Sequence, residues 1–513
     1  MIATSHQLAA QAGLDVLKRG GNAIDAAIAT AAALTVVEPT SNGIGGDAFA
    51  LVWTKGKLYG LNSSGPSPKS ISIEAVKKAG YTEMPKYGFI PVTVPGAPAG
   101  WASLSERFGR LPLTESMAPA IELAEKGHPV APIAAKFWNR AFQNYLREAK
   151  GDEFASWFDT FAIGGRPPEA GEVWCSADHA RTLQEIAETN AKSFYQGELA
   201  EKISAFSKQF GGFLSQEDLA EFSPDWVEPI SVNYHGYDVW EIPPNGQGLI
   251  TLLALNILKE FDFTERDNIN TYHKQLEAIK LAFADGKHYI TDLNHMATSL
   301  EALLSPAYGR ERAKLIGDTA CMPEPGHPPN GGTVYLATAD GEGNMVSFIQ
   351  SNYMGFGSGL VVPGTGIALQ NRGHTFSLDE NHINHLEPGK RTYHTIIPGF
   401  LTKGGNPVGP FGVMGGYMQP QGHLQVVMNT VDFGMNPQAA LDAPRWQWMK
   451  DNEISFEWNT PQDIVLGLAN KGHVVNVAAD SAGFGRGQII WRLQNGVLAG
   501  GTESRTDSQI AVW

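Results

Sequence analysis

The stretch Asn330–Gly359 constrains the fold more than any other part of this chain. It contains two apolar runs, Val334–Ala339 and Met345–Gln350, joined by the sequence DGEGN. Valine, tyrosine, phenylalanine and isoleucine favour a pleated, half-buried surface, and the Asp- and Gly-rich link has the composition of a hairpin turn. Thr333 opens the first run, directly after two glycines. The pattern therefore predicts a buried β-hairpin with a threonine at its first position.

A threonine between a Gly-rich linker and a core strand is a candidate N-terminal nucleophile. Cleavage of the Gly332–Thr333 peptide bond would give Thr333 a free α-amine beside its hydroxyl. An α-amine has a reference pKa of about 8, so it can act as the base for the hydroxyl of its own residue. The plainer alternative is a β-favouring threonine at the start of a strand.

Composition limits the partners of the chain. It has 513 residues, of which 42% are hydrophobic and 18% charged, as is usual for a globular enzyme. The formal net charge of -15 argues against nucleic acid and anionic membranes as partners. Two cysteines predict no disulfide framework, and the scattered histidines predict no metal cluster or cofactor site. The longest apolar run, Ala26–Val37, is too short to span a bilayer, and with no signal peptide visible a cytoplasmic location is expected.

The order of periodic segments predicts strands, a helical middle and strands again. An early hairpin is expected at Ala48–Trp53 and Leu58–Leu61, and a single strand at Pro229–Glu241, which alternates between apolar and polar residues. Residues 321–332 contain four prolines and three glycines, which predicts an exposed connector before the Thr333 hairpin. This pattern supports an α+β protein with a sheet core, without fixing a topology.

A series of motifs runs in order along nearly the whole chain. It includes SHQLAAQAGLDVLKRGGNAIDAAIA and VVEPTSNGIGGDAFALV, then LEAIKLAFADGKHYI, TVYLATADGEGN, PGKRTYHTIIP and GVMGGYMQ. Together these motifs resemble the γ-glutamyltransferase family of N-terminal-nucleophile hydrolases, in a branch that includes cephalosporin-acylase-like members. The resemblance implies a four-layer αββα sandwich. It also implies a large-subunit segment, 1–332, and a small-subunit segment, 333–513, intertwined as one domain.

The resemblance assigns catalytic roles to four positions. Thr333 is the expected nucleophile, first in self-cleavage and then toward an amide substrate. Ser351, at the end of the second strand, stands where relatives carry a hydroxyl that hydrogen-bonds the nucleophile. Gly415 and Gly416 follow an apolar strand and precede a helix, and such a pair of backbone N–H groups can form an oxyanion hole. The alternatives are an exposed serine at a strand end and a glycine turn.

The substrate-recognition positions depart from the usual pattern of that family. Ser64 replaces the arginine that pairs with the α-carboxylate of a γ-glutamyl substrate, and Thr375 replaces the aspartate that holds its α-ammonium. A serine cannot supply the bidentate, charged contact of an arginine. Arg372 brings a cation where relatives have a glutamine, and it can receive a carboxylate placed differently. The other expected substrate-binding residues are Tyr353, Asn371, His394 and Thr395.

Three hypotheses for function follow from these residues. The first is a self-cleaving amidohydrolase or acyltransferase that forms an acyl-enzyme from a γ-glutamyl-like amide, without a cofactor. The second is an acylase for a glutaryl- or cephalosporin-like side chain, because both ionic contacts to an α-amino acid head are missing. The third is an uncleaved, non-catalytic single-chain homologue. The expected partners are a small amide substrate, the two segments for each other after cleavage, and a second copy in a homodimer or larger assembly.

Overall fold

Strands occur at both ends of the chain and helices fill its middle in the computed structural model, which describes residues 1–322 and 332–513. Most of the predicted connector, 321–332, lies outside the described residues. The strands of the first half are β1 (Ile2–Thr4), β2 (Asp47–Thr54), β3 (Lys57–Ser63), β4 (His128–Pro129), β5 (Val173–Trp174), β6 (Asp225–Val227), β7 (Ile230–Tyr234) and β8 (Tyr237–Glu241). The later strands are β9 (Gly332–Ala339), β10 (Met345–Tyr353), β11 (Val361–Val362), β12 (Ile367–Ala368), β13 (Gly399–Lys403), β14 (Asn406–Met414), β15 (Trp446–Lys450), β16 (Glu453–Glu457), β17 (Val474–Ala478), β18 (Arg486–Arg492), β19 (Leu498–Thr502) and β20 (Gln509–Ala511).

The helices are concentrated between β3 and β9. Those before β6 are α1 (Gln7–Lys18), α2 (Ala23–Val37), α3 (Ile73–Lys78), α4 (Ala97–Phe108), α5 (Leu113–Lys126), α6 (Pro132–Glu148), α7 (Ala155–Phe161), α8 (Ala177–Thr189), α9 (Lys192–Gln196), α10 (Glu198–Gln209) and α11 (Gln216–Ala220). Those that follow are α12 (Gly248–Leu258), α13 (Ile269–Tyr289), α14 (Leu300–Leu303), α15 (Pro306–Ala313), α16 (Met418–Val431), α17 (Pro437–Asp442) and α18 (Gln462–Asn470). None of these helices combines the length and the apolar content needed to cross a membrane.

The predicted hairpin around Thr333 forms the centre of the larger sheet. Its strand order is β20-β1-β9-β10-β2-β3-β6, so β9 lies between β1 and β10. The second large sheet has the order β19-β18-β14-β13-β8-β7. Both sheets combine strands from before and after Thr333. The single strand predicted at Pro229–Glu241 was wrong, because His235 and Gly236 both have positive φ and turn the chain into the hairpin β7–β8.

Side-chain alternation along β9 decides which way Thr333 faces. Tyr335 and Ala337 belong to a buried cluster that also contains residues of the second sheet. Val334 and Leu336 instead join a cluster with the apolar side chains of α2. Successive residues of a strand point to opposite faces, so Thr333 shares the face of Tyr335 and points toward the second sheet. The nucleophile candidate therefore lies between the two sheets.

Three buried clusters describe the packing around this position. The first joins the facing sides of the two sheets, for example Phe49 and Ile349 with Phe400 and Ile490. The second covers the outer face of the larger sheet with α2, α4, α5 and neighbouring helices. The third covers the outer face of the second sheet with α12, α13 and α16. The predicted mixture of a sheet core and surrounding helices is confirmed.

Candidate active site

Thr333 hydrogen-bonds with Ser351 and Gln419 between the sheets. Its hydroxyl donates a hydrogen bond to Ser351 Oγ over 3.2 Å, and Gln419 Nε2 donates to Thr333 Oγ1 over 3.4 Å. Both Thr333 and Ser351 are buried. The predicted hydrogen bond between the two hydroxyls is therefore present. Gln419 joins them from the first turn of α16, where its Oε1 is held by the backbone N–H of Ile397.

An irregularity in β10 lies directly beside the threonine. The register between β9 and β10 shifts between Gln350 and Tyr353, and Tyr353 is paired with Gly332. Tyr353 is buried and has a φ of 74°, a conformation that side-chain-bearing residues rarely adopt. Its backbone N–H donates to Ser351 Oγ over 2.8 Å. Bulges re-aim side chains, and this one orients the Ser351 hydroxyl next to Thr333.

Gly415 and Gly416 connect β14 to α16. Their φ values of 138° and 60° lie in the region that favours glycine. The Gly416 carbonyl accepts from the backbone N–H of Gln419 and from Gln247 Nε2, at 3.2 Å and 2.9 Å. The turn is thus fixed from two directions and ends in a helix N-terminus. Such a turn can present backbone N–H groups to a developing oxyanion.

Arg372 is the buried cation of the site. Its Nη1 donates to Thr395 Oγ1 over 2.7 Å, and its guanidinium lies 4.3 Å from the ring centroid of Tyr353. Its Nε and Nη2 have no hydrogen-bond partner among the described residues. Burial lowers the pKa of Arg372 to about 10, which leaves it charged at neutral pH. The Tyr353 backbone pairs with Gly332, so the ring that Arg372 contacts belongs to a residue paired with the proposed cleavage point.

His394 contacts Asp47 in the layer between the sheets. Its Nε2 lies 3.0 Å from Asp47 Oδ2, while its Nδ1 accepts from the backbone N–H of Ile396. The proton is therefore on Nε2 and is donated to the carboxylate. Burial, and then the charge of Arg372, hold the pKa of His394 well below its usual range. Burial raises the pKa of Asp47 to about 7, despite the Arg372 charge and two backbone N–H donors.

Ser64 and Thr375 are connected through hydrogen bonds to Asn245 and Thr392. Asn245 Nδ2 donates to Ser64 Oγ over 3.2 Å and to the carbonyl of Thr392 over 2.9 Å. Thr375 Oγ1 is 2.8 Å from Thr392 Oγ1. Asn371 is used differently, since its amide oxygen accepts from the Met354 N–H and its Nδ2 donates to the backbone. The fold thus links Ser64 and Thr375 through Asn245 and Thr392, and Arg391 Nε also donates to the Ser64 carbonyl over 2.7 Å.

A cavity of about 1180 Å³ adjoins these residues. Thr375, Tyr393 and Tyr417 form part of its wall, and Tyr417 directly follows Gly416 in the sequence. Burial keeps the pKa of both tyrosines well above the usual range, so both are neutral phenols. The cavity is of the size that binds a small molecule.

Comparison with known proteins identifies the group to which this chain belongs. A family model described as gamma-glutamyltranspeptidase matches residues 9–513. The chain is a member of the γ-glutamyltranspeptidase family. The glutathione hydrolase-like YwrD proenzyme of Bacillus subtilis strain 168 is 37% identical over 520 residues, which cover 99% of this chain and 97% of that protein. The oxamate amidohydrolase proenzyme of Klebsiella pneumoniae is 33% identical over 524 residues, covering 100% of this chain and 98% of its own.

A solved structure is more similar still. The crystal structure of cephalosporin acylase from Bacillus halodurans is 64% identical, with a TM-score of 0.98, and the match covers 100% of this chain and 95% of that one. The family membership supports an enzyme, and the predicted resemblance to a γ-glutamyltransferase-related amidohydrolase with an acylase-like branch is confirmed at the level of the family.

One group of residues in this γ-glutamyltranspeptidase homologue has the composition of a metal site. His273, Glu277 and His473 place ligand atoms within 4.8 Å of one another, so the sequence-based view of the histidines as scattered was wrong. His273 Nδ1 is 2.9 Å from His473 Nε2. Lys280 Nζ donates to Glu277 Oε1 over 2.6 Å, so the ammonium of Lys280 already balances the charge of this carboxylate. These contacts form a buried network, and we assign no metal to it.

Several site residues of this family member were not predicted from the sequence. Gln419 contacts Thr333, Gln247 bonds the carbonyls of Thr395 and Gly416, and Asn245 bonds Ser64. Gln419 follows the GGYM motif, so a polar side chain in the first turn of the helix after the glycine turn was the available signal. Gln247 and Asn245 lie in the loop PPNGQG, which the sequence marks only as a break after a strand.

Proposed function

We propose that this chain is an N-terminal-threonine amidohydrolase or acyltransferase that activates itself by cleaving the Gly332–Thr333 bond. The observation that carries the proposal is the position of Thr333 Oγ1 between Ser351 and Gln419, at the first residue of a central buried strand. The names of the two curated relatives cited above include the word proenzyme, which agrees with an enzyme made by processing.

Self-cleavage balances as an N-to-O acyl shift followed by hydrolysis. Thr333 Oγ1 attacks the carbonyl carbon of Gly332, the C–N bond breaks, and the proton of the hydroxyl goes to the departing amine. Water then opens the resulting ester, which leaves a carboxylate on Gly332 and restores the hydroxyl of Thr333. Ser351 and Gln419 orient that hydroxyl, and the hydrogen bond from Thr333 to Ser351 offers a path for its proton.

The mature site uses the same hydroxyl on an amide substrate. The new α-amine of Thr333 takes the proton of its own hydroxyl, and the oxygen attacks the amide carbonyl. The backbone N–H groups of the Gly415–Gly416 turn stabilise the oxyanion. The amine of the substrate leaves with a proton, and the acyl group passes from Thr333 to water or to an acceptor amine.

The arrangement of layers belongs to the same proposal. We assign the chain a four-layer αββα sandwich, with 1–332 and 333–513 as its large and small segments. The support is the presence of one apolar cluster between the sheets and one on the outer face of each. Association of the segments into a homodimer or larger assembly stays a prediction, as does a cytoplasmic location.

Replacement of Thr333 tests the proposal. We expect Thr333→Ala to remain one polypeptide on a denaturing gel and to hydrolyse no amide, whereas the wild type gives two fragments with a new N-terminus at residue 333. Thr338→Ala is the matched control, since Thr338 is a buried threonine of the same strand whose hydroxyl bonds the carbonyl of Ala23. Amide turnover by Thr333→Ala, or a wild type that stays intact and inactive, would show the proposal to be wrong. The latter result would favour the non-catalytic homologue.

A second candidate function concerns the acyl group. The Nε and Nη2 atoms of Arg372 are buried and find no hydrogen-bond partner in the part of the chain that the structure describes, while the side chains of Ser64 and Thr375 offer no charge to an α-amino acid head. Because Nε and Nη2 are buried donors with no acceptor among the described residues, a carboxylate on the acyl chain is the group that fits Arg372. This favours an acylase for a carboxylate-bearing side chain, such as glutaryl, over a γ-glutamyl enzyme. The similarity to a cephalosporin acylase supports the same choice.

Matched anilides separate the two functions. We expect the wild type to hydrolyse a glutaryl anilide faster than a γ-glutamyl anilide, because only the latter buries an ammonium without a partner. Arg372→Met should lower kcat/KM for the glutaryl substrate about 10- to 100-fold, as for the loss of a charged hydrogen-bonding pair. A butyryl anilide, which lacks the carboxylate, is the control and should be affected far less. Faster hydrolysis of the γ-glutamyl anilide by the wild type would contradict the acylase assignment.

A further inference from the structure

Gln247, the residue that precedes α12, contacts the glycine turn from another element of the fold. Its side chain is completely buried. Its Nε2 donates to the carbonyl of Gly416 over 2.9 Å and to the carbonyl of Thr395 over 2.6 Å. Its Oε1 accepts from the hydroxyl of Tyr393 over 2.8 Å. One amide therefore connects the start of α12 to the glycine turn and to the segment 393–395.

The neighbours of this amide fix its orientation. Carbonyl oxygens can only accept hydrogen bonds, so the atom that faces Gly416 and Thr395 must be the nitrogen. Burial keeps the pKa of Tyr393 well above its usual range, so the phenol keeps its proton and donates it to Oε1. The backbone N–H of Gln247 also donates to the carbonyl of His394 over 2.9 Å. An ionised carboxylate of the same size could not donate to the two carbonyls, so the site specifically requires an amide.

The glycine turn needs such a support because its two residues have no side chains. Glycine is freer to change φ and ψ than other residues are. The Met418 N–H donates to the Gly415 carbonyl over 3.1 Å. The Gln419 N–H donates to the Gly416 carbonyl over 3.2 Å. These bonds fix the turn relative to α16, and the shorter bond from Gln247 fixes it relative to the rest of the site.

The second carbonyl that Gln247 binds belongs to the residue that contacts Arg372. Thr395 Oγ1 accepts from Arg372 Nη1 over 2.7 Å, and the Thr395 carbonyl accepts from Gln247. Thr395 thus connects the proposed acyl-binding cation to the amide that holds the glycine turn. Binding energy gained on the acyl chain raises the reaction rate only if the reacting groups are held in the right place.

We propose that Gln247 is a positioning residue, which holds the Gly415–Gly416 turn so that its backbone N–H groups meet the oxyanion of an acyl chain bound at Arg372. The inference rests on the proposed function, because it assumes acyl transfer through Thr333 at that turn. The oxyanion exists only during the reaction, so a group that positions its donors acts on the transition state more than on the bound substrate. Loss of Gln247 should therefore lower kcat and leave KM nearly unchanged.

Two substitutions test this role by kinetics on a glutaryl anilide. Gln247→Met keeps the length of the side chain and removes its hydrogen bonds, and it should lower kcat about 10- to 100-fold. Tyr393→Phe removes only the hydroxyl that orients the amide, and it should lower kcat about fivefold. The matched control is Gln425→Met, which should keep the wild-type kcat. Gln425 is likewise a buried glutamine that donates to two carbonyls, those of Gln421 and Trp446, and accepts from the Trp446 N–H.

Binding measurements separate positioning from a general loss of structure. The probe is the boronic acid analogue of the glutaryl group, which has boron in place of the acyl carbon. The Thr333 oxygen bonds to boron, the hydroxyl proton goes to the α-amine, and the tetrahedral anion imitates the oxyanion. Glutarate, the product of hydrolysis, is the comparison ligand and forms no such adduct. We expect Gln247→Met to weaken boronate binding about 10- to 100-fold and glutarate binding less than about threefold.

The results also distinguish this inference from the proposed function. Rates are expressed per molecule that has cleaved itself, as counted on a denaturing gel. Variants that bind the boronate as tightly as the wild type, or a Gln247→Met that loses boronate and glutarate affinity equally, would overturn the role of Gln247 and leave that of Thr333 standing. If Gln247→Met does not fold or does not cleave itself, Tyr393→Phe decides alone: lower kcat with weaker boronate binding supports the inference, and wild-type values overturn it. A wild type that binds the boronate no tighter than glutarate would overturn the proposed function and this inference with it.

Discussion

At the scale of single residues, three side chains decide what Thr333 can do. Ser351 and Thr333 face the second sheet because both follow the alternation of their strands, and Gln419 reaches them from the helix after the glycine turn. Arg372 packs 4.3 Å from the ring centroid of Tyr353 and is the cation that we propose for substrate recognition. Ser351 and Gln419, both neutral, therefore hydrogen-bond the Thr333 hydroxyl. The proposed contact to the substrate is instead made by the cationic Arg372.

The first prediction concerns Gln419. Its amide donates to Thr333 Oγ1 over 3.4 Å, so Gln419→Ala removes one hydrogen bond that orients the nucleophile. A bond of this kind is worth about 1 kcal/mol, which corresponds to an approximately fivefold slower self-cleavage. Rates of fragment formation after refolding measure this effect. Gln425→Ala is the control, since Gln425 is a buried glutamine of the same helix that bonds the backbone of Trp446. Equal rates in the two variants would contradict the role of Gln419.

At the scale of elements, α13 and the residue before β17 form a network that fixes the backbone at Cys321, near the end of the first described range. Glu277 Oε2 accepts from the backbone N–H of Cys321 over 3.0 Å and from its thiol over 2.7 Å. The other oxygen of Glu277 accepts from Lys280, which is completely buried. His473, which precedes β17, joins the same network from after residue 333. One carboxylate therefore connects both sides of the proposed cleavage point.

The second prediction follows from this network. Glu277→Ala leaves the ammonium of Lys280 buried without its carboxylate, and breaking a buried pair in this way costs about 3–5 kcal/mol of unfolding free energy. Denaturant titration of Glu277→Ala, made in the uncleaved Thr333→Ala variant, measures this loss of unfolding free energy. Glu311→Ala breaks an exposed pair with Lys314 and should cost less than about 1 kcal/mol. Similar losses in the two variants would show that Glu277 is not the centre of the network.

At the scale of the whole molecule, the two segments share every large sheet. β9 and β10 of the later segment lie between β1 and β2 of the earlier one, and β7 and β8 pair into the sheet of β13 and β14. Cleavage at residue 333 would leave these hydrogen bonds in place, so the fragments should stay together without denaturant. The molecule also buries several histidines as neutral rings. His6 has a pKa lowered to about 3, and those of His128 and His179 are lowered to about 4, mainly by burial.

The third prediction is a loss of stability in acid, to which His128 contributes. Its pKa falls from 6.5 in the unfolded chain to about 4 in the folded one. Between these values the unfolded ring binds a proton that the folded ring does not, so lowering the pH through this window favours unfolding. His128→Leu should reduce the proton uptake on unfolding at about pH 5 by roughly one proton. Calorimetry in buffers of different ionisation enthalpy measures the uptake.

The control for His128 is the same comparison above the titration window. At pH 8 both the folded and the unfolded ring are neutral, so wild type and His128→Leu should then take up the same number of protons. His128 has no hydrogen-bond partner among the described residues, which makes leucine a mild replacement. If wild type and His128→Leu take up the same number of protons on unfolding near pH 5, the pKa of His128 is the same in the folded and the unfolded chain, and the prediction is wrong.

Much of the candidate site could be predicted from local sequence. The hairpin at Thr333 was expected because its residues favour strands and its link favours a turn, and the observed β9–β10 pair confirms it. In the observed hairpin the hydroxyls of Thr333 and Ser351 lie 3.2 Å apart, on the face toward the second sheet. Gly415 and Gly416 were expected at a strand-to-helix turn from their place in the sequence. Their positive φ values explain why glycine is needed there. The departure at Ser64 and Thr375 was visible because the side chain of a serine or a threonine carries no charge wherever it lies.

The local sequence sets the conformation of each short segment and the chemical groups that the segment carries. Which of these groups meet depends on long-range packing, because Gln419 is 86 residues from Thr333, and His473 is 200 residues from His273. Strand order and sheet packing set such distances, and neither has a local signature. The charge environment has the same origin, since the shifted pKa values of Arg372 and Asp47 follow from burial by distant parts of the chain.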